Sequence, residues 1–219
     1  MLRINEKLSE AKLDALRSQM NPHFIFNCIN AIDNLIQTNQ PDKATTYLAR
    51  FAKLIRSILE SSKNNVVPFH KDFETLKLFL ELEQFRCSNK FSFELEADDE
   101  LFYGDYKVPP LIVQPFAENA IHHGLLNKQE GVRKLSIKVA LKNNYISYVI
   151  SDTGVGRAKA LQIKELNKPE HISYGIDITE ERVQLHNQNG KRADIVFYDI
   201  IQNGLAAGTT VEVNIKTDH

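Results

Sequence analysis

Tyr145-Ile146-Ser147-Tyr148-Val149-Ile150-Ser151-Asp152-Thr153-Gly154-Val155-Gly156 is an apolar run that ends in an aspartate and breaks on two glycines. It reads as a buried strand running into a glycine turn. An aspartate at a strand end can accept a hydrogen bond from the exocyclic amine of a base. The glycines let the backbone approach a ligand closely or take positive φ. Alone, the D-x-G-x-G pattern fits a structural turn as well as a ligand loop. It is not a P-loop, because no G-x-x-x-x-G-K-[ST] occurs in the chain.

Working outward, further strand-like runs lie at Leu135 to Leu141, Ile195 to Tyr198 and Thr209 to Ile215, and Phe91 to Glu96 alternates like a half-buried strand. Helical spacing covers about His70 to Arg86, Pro110 to Gly124 and Ile178 to Gln188. Helices and strands are mixed without regular β-α-β alternation. The expected fold class is therefore α+β, one mixed sheet with helices on one face. Between Gly156 and Gly175 a polar segment with Lys159, Lys164 and Lys168 reads as a lid or as a solvated loop. Gly208-Thr209-Thr210 opens the last strand.

Before residue 66 the texture differs: no glycine, and long runs at helical spacing. Ile4, Leu8, Ala11 and Ala15 make a seam suited to a short coiled coil. Ile25, Ile29, Ile32 and Ile36 share one helix face, and Leu48, Phe51, Ile55 and Ile58 another. Asn39-Gln40-Pro41-Asp42 is the turn between them. A two-helix hairpin cannot bury both stripes alone, so the pattern predicts a homodimer built on a four-helix bundle. The expected organisation is residues 1–17 as a coiled-coil end, 18–65 as a dimerising helical unit and 66–219 as a ligand-binding unit.

Composition narrows the function classes. The 219 residues are 42% hydrophobic with a net charge of −1, which gives no global pull toward nucleic acid. No apolar stretch approaches the ~20 residues of a membrane span. Cys28 and Cys87 lack metal-ligand spacing and read as small apolar helix residues in a reducing compartment.

Gln19-Met20-Asn21-Pro22-His23-Phe24-Ile25-Phe26-Asn27 places a histidine where Asn27, Asn30 and Asn34 fall within about 40° of it around a helix. Pro22 cannot donate to the carbonyl of Ser18, so the helix kinks here or starts here with Asn21 as its cap. A neutral imidazole, with a pKa of about 6.5, carries a lone pair able to attack a phosphoryl group. On this helix alone an ordinary histidine on a polar face is the commoner case. Farther on, Gln114-Pro115-Phe116-Ala117-Glu118-Asn119-Ala120-Ile121-His122-His123-Gly124 sets a polar cluster, Glu118, Asn119, His122 and His123, on a largely apolar helix. Asn119 offers an oxygen of the kind Mg²⁺ takes, and His122 can donate to a phosphate. Glu118, Asn119, His122 and His123 together favour a ligand over a buried polar network.

These segments, in this order and spacing, resemble bacterial sensor histidine kinases of the LytS/YehU-like class. The likeness extends from about Leu16 to Ile215, and N-P-H-F-[IL]-F-N is its most specific element. The resemblance implies a dimeric helical domain joined to an ATP domain of the GHKL (Bergerat) α/β sandwich fold. It implies a two-component protein-histidine kinase that autophosphorylates on His23 and passes the phosphoryl group to an aspartate of a response regulator, the LytTR type being a candidate.

By the same resemblance Asn119 would coordinate the Mg²⁺ that bridges the ATP phosphates. His122 and His123 would lie near those phosphates, and Asp152 would bind the adenine amine. Gly154 and Gly156 would line the pocket, Gly175 would hinge the lid, and Gly208 and Thr209 would close the base side. A membrane-embedded sensory region would precede this cytoplasmic portion.

Two positions depart from the pattern. Many histidine kinases carry an acid directly after the phosphorylated histidine; here Phe24 stands there, leaving Asn27 or Glu118 to orient the imidazole. The usual G-x-G of the lid is Gly175-Ile176-Asp177. The rival expectations are a GHKL-type ATPase without phosphohistidine and a degenerate dimerisation and docking module.

Overall fold

The computed structural model describes residues 22–142, 145–167, 193–202 and 204–217. The seam Ile4 to Ala15, the Asn21 cap, Gly175 and the helix expected at Ile178 to Gln188 lie outside the described residues.

Helices α1 (Pro22–Gln37) and α2 (Pro41–Ser61) form the expected hairpin. In its turn Asn39 takes φ 57°, a region asparagine tolerates, and Pro41 opens α2, where a missing N–H costs nothing. Helix α3 (Phe69–Arg86) follows a short strand β1 (Val67–Pro68). Next come β2 (Ser92–Ala97), α4 (Glu100–Tyr103), β3 (Lys107–Val108), which pairs with β1, and α5 (Gln114–Asn119). Strands β4 (Lys134–Lys142) and β5 (Tyr145–Asp152), helix α6 (Arg157–Asn167), and strands β6 (Ala193–Gln202) and β7 (Leu205–Lys216) complete the described elements.

The main sheet has the order β2-β4-β5-β7-β6, with β2 parallel to β4 and the other pairs antiparallel. It is the mixed sheet of an α+β fold. Its register aligns Leu95, Ile137, Ile150, Val211 and Phe197 in one row, and Ala97, Val139, Tyr148, Val213 and Ile195 in the next. These rows pack in one core with Phe69, Phe79 and Leu80 of α3 and with Ile112, Phe116 and Ile121 near α5. Alternate residues point the other way, and there Lys134 and Lys138 meet Glu94 and Glu96 at 2.6 and 3.2 Å.

The helix expected from Pro110 starts instead at Gln114. Pro109 and Pro110 cannot donate to a helix ladder, and Leu111 sits at φ 59° with its amide donating to the buried Asp72 Oδ1 at 2.8 Å. After Asn119 the helix widens into a π-helical segment, Ala120–Leu125, closed by Leu126 N–H to Ile121 O at 2.9 Å.

The hairpin's buried face also differs from the isoleucine stripe. Phe24, Cys28 and Leu35 are the buried side chains of α1, whereas Ile29 and Ile36 are 50% and 61% exposed. The two faces lie about 100° apart round the helix. On α2 the buried set is Ala44, Tyr47, Leu54, Ile58 and Ser61, and Leu48 is exposed. The reason is α3: it lies against both arms and supplies within one chain part of the burial that the sequence assigned to a second copy. Phe24 stacks on Phe79 of α3 at 5.2 Å and faces Phe51 of α2 at 6.5 Å. Ser57 and Thr75 hydroxyls meet at 2.6 Å across the same contact.

Candidate functional site

Asp152 ends β5 and is buried. Its Oδ1 accepts the Gly154 amide at 2.7 Å, and the Thr209 amide also hydrogen-bonds the carboxylate. Burial pushes this carboxyl up to about 6, although both amides and the nearby Lys128 ammonium pull it down. A carboxylate has about four acceptor positions, and two protein amides leave room for a ligand donor.

Glycines shape the space around it. A Cβ on Gly154 would run into the Gly124 backbone and come within 2.6 Å of Asp152 Oδ1. Gly208 has φ 146°, and a Cβ there would overlap the Asp152 carbonyl. Gly124 closes the 114–124 stretch; a Cβ on it would come within 2.9 Å of Asp152 Oδ1, and its carbonyl accepts Val155 N–H at 3.2 Å. The D-x-G-x-G turn, the end of the π-helical segment and the start of β7 therefore converge on one aspartate. Gly156 is buried where the turn enters α6, its carbonyl accepting Ala160 N–H at 3.0 Å. Thr209 is buried and sits in register opposite Asp152.

Lys128 was not singled out by the sequence. Its ammonium donates to Thr153 O at 2.5 Å and Val132 O at 3.1 Å, tying the loop after the π-helical segment to the glycine turn. Thr153 Oγ1 adds a bond to Val132 O at 2.8 Å and accepts Lys134 N–H at 2.9 Å.

Glu118 and Asn119 end α5, each half-buried, and His122 and His123 follow in the π-helical segment, with His123 exposed. His122 does not face solvent alone. Its Nε2 lies 3.0 Å from Glu83 Oε2 of α3. Glu83 is fully buried and is also held by Arg86, Nε to Oε1 at 2.9 Å and Nη2 to Oε2 at 2.7 Å. Burial alone would raise the Glu83 carboxyl, but the His122 and Arg86 hydrogen bonds outweigh it and hold it low.

With Lys128, Glu83 and Arg86 are the residues that sequence reasoning missed. The available signal was position: Leu76, Phe79, Leu80 and Glu83 follow helical spacing, so the glutamate stands on an apolar stripe.

His23 lies in the first turn of the described α1, and Asn27, half-buried, is one turn on. Phe24, the departure noted after His23, is the aromatic anchor that fixes this turn to α2 and α3. Next to it, Tyr47 Oη donates to Cys28 Sγ at 3.3 Å, and burial pushes that thiol up to about 11. Both cysteines are free and buried.

A family model for histidine kinases matches residues 11–91. The sensor protein LytS of Oceanobacillus iheyensis is 33% identical over 90% of this chain and 35% of its own length. The sensor histidine kinase/phosphatase LytS of Staphylococcus aureus is 31% identical over 93% of this chain and 34% of its own. Among solved structures, histidine kinase ThkA in complex with the response regulator protein TrrA is similar over 98% of this chain and 64% of that one, at 17% identity and TM-score 0.45. The chain belongs to the LytS-like sensor histidine kinases. It spans about a third of the length of the curated relatives it matches.

Proposed function

We propose that this chain is the kinase core of a two-component sensor, phosphorylating itself on His23 from ATP and passing the group to an aspartate of a response regulator. The observation that carries this reading is the buried Asp152 carboxylate, cradled by Gly124, Gly154 and Gly208 where any Cβ would intrude. An exocyclic base amine is a donor of the kind that the remaining acceptor positions of this carboxylate can take. Asp152 would hold the adenine amine, with Gly154, Gly156, Gly208 and Thr209 around the base. Asn119 would offer its side-chain oxygen to Mg²⁺, with His122 and His123 toward the phosphates and Gly175 at a lid hinge. Bound Mg²⁺ supplies charge neutralisation on the phosphates.

In this reading the lone pair of the His23 imidazole attacks the terminal phosphorus of ATP. A nitrogen–phosphorus bond forms, the bond to the β-phosphate oxygen breaks, and ADP departs. The ring proton stays on the other nitrogen until a base takes it. Asn27 or Glu118 orients the imidazole for this attack. Residues 18–65 act as the dimerising unit that presents His23, and residues 66–219 as the ATP-binding unit. Ile29, Ile36 and Leu48, exposed on the hairpin, supply the face for a second copy. The chain works on the cytoplasmic side of a membrane-borne sensor, where ATP and the regulator are found. No helix among the described residues is long and apolar enough to cross a membrane.

The test is incubation with γ-labelled ATP and Mg²⁺ of the wild type and of His23→Gln, followed by acid and base treatment. Acid-labile, base-stable label that disappears in H23Q, with ATP binding retained, supports the reading. Label persisting in H23Q overturns the acceptor. Steady phosphate release with no labelled protein favours an ATPase, and no nucleotide binding at all favours a docking module.

A further inference from the structure

Glu83 and Arg86 lie outside the cradle around Asp152 and have no role in the reading above, yet both approach His122, which does have one. Glu83 Oε2 is the shared acceptor: Arg86 Nη2 approaches it at 2.7 Å and His122 Nε2 at 3.0 Å. Nη2 and Nε2 also lie 3.2 Å apart, a contact whose donor and acceptor follow the tautomer of the ring. A carboxylate oxygen 3.0 Å from Nε2 favours the proton on that nitrogen, toward α3, and Nδ1 is the other ring nitrogen.

The carboxylate itself is well braced. Arg86 grips it with two prongs, and the helix that carries both residues is packed on its other side by the hairpin. There Tyr47 stacks near Phe85 at 5.1 Å and reaches the carbonyl of Leu82 at 3.5 Å. A carboxylate with no exposed surface is costly unless it is paired, so its retention on an apolar stripe calls for a job that a leucine could not do.

We propose that Glu83, braced by Arg86, is a positioning residue for the nucleotide site: it accepts the Nε2–H of His122 and so fixes the ring, and in the imidazolium formed when ATP brings a second proton to it from solvent, Nδ1–H donates to the phosphates. This rests on the reading of His122 as a phosphate neighbour. The π-helical widening contributes, since it sets where His122 stands on the segment that reaches α3. Glu83 touches no substrate; it acts through the histidine, as an outer carboxylate does behind a metal-bound imidazole.

The test uses the whole 219-residue chain. Imidazole ¹⁵N spectra of the nucleotide-free protein report which nitrogen of His122 is protonated, and titrations compare ATP with adenosine. The wild type should show a protonated, hydrogen-bonded Nε2. Glu83→Gln leaves one neutral acceptor oxygen for Arg86 and His122 to share, so it should weaken that signature and weaken ATP roughly tenfold while leaving adenosine, which has no phosphate, unchanged. Arg86→Lys keeps the charge but loses the fork, so it should shift both readouts in the same direction and less. It also serves if E83Q does not fold.

Unchanged His122 spectra and unchanged ATP affinity in a folded E83Q overturn the proposal and leave the kinase reading standing. Equal weakening of ATP and adenosine also overturns it, because that marks a structural role alone. A wild type that binds adenosine and ATP equally removes the phosphate role of His122, and the proposal with it. One that binds neither overturns the nucleotide reading itself.

Discussion

Asp152 shows how one side chain trades stability for recognition. Burial raises its carboxyl from 3.8 to about 6, so the folded state disfavours the charged form. Below the ordinary carboxylate range both folded and unfolded chains are protonated, and no penalty arises. As pH rises toward 6 the unfolded chain ionises more readily than the folded one, and above that the penalty is complete, about 2–3 kcal/mol. Asp152→Asn keeps an oxygen for the Gly154 and Thr209 amides and removes the charge. It should raise the melting temperature by several degrees at neutral pH, and the gain should fade as pH falls to about 4. Thermal melts across that range check the first half. A titration with ATP checks the second, because the same variant should lose adenine recognition. In the wild type, ATP affinity should fall as pH drops through about 6, when Asp152 takes up its proton.

Among elements, the contact of α1 with α3 matters most for the role proposed for His23, since it anchors the first turn of α1. It turns on Phe24, 4% exposed and stacked between Phe51 and Phe79. Phe24→Ala should cost about 3–5 kcal/mol in unfolding free energy, measured by denaturant titration. Autophosphorylation should fall further than ATP affinity, since the glycine cradle does not depend on this ring. Much at this scale was legible in the sequence: both hairpin arms, the helix ending at Arg86, and all five strands of the main sheet stand where periodicity placed them. The misses have causes distant in the chain. Leu111 takes a left-handed turn because Asp72, thirty-nine residues earlier in the chain, accepts its amide. The π-helical segment after Asn119 depends on packing that no window of sequence reports.

For the whole molecule, the isoleucine stripe of α1 is the outstanding surface. With Ile29 and Ile36 exposed while Phe24 and Cys28 are buried in cis, α1 carries two apolar faces, and α3 covers only one. Ile29→Glu combined with Ile36→Glu should convert a dimer to a monomer in sedimentation velocity and leave the melting of the sheet core unchanged; a dimer that survives both charges would place the interface elsewhere. By itself, the sequence determined the order of the main elements and the local residue patterns of the candidate site. Glycine spacing, an aspartate at a strand end, and a histidine on an amide-rich helix face are all local patterns, set by backbone geometry and periodicity. Only the tertiary structure decided which polar residues are buried together. It made Asp152 the meeting point of three glycine-bearing segments, and it enclosed Glu83 with Arg86 and His122. Burial is a property of neighbours distant in the chain, and desolvation acts on a charge only once those neighbours have excluded water.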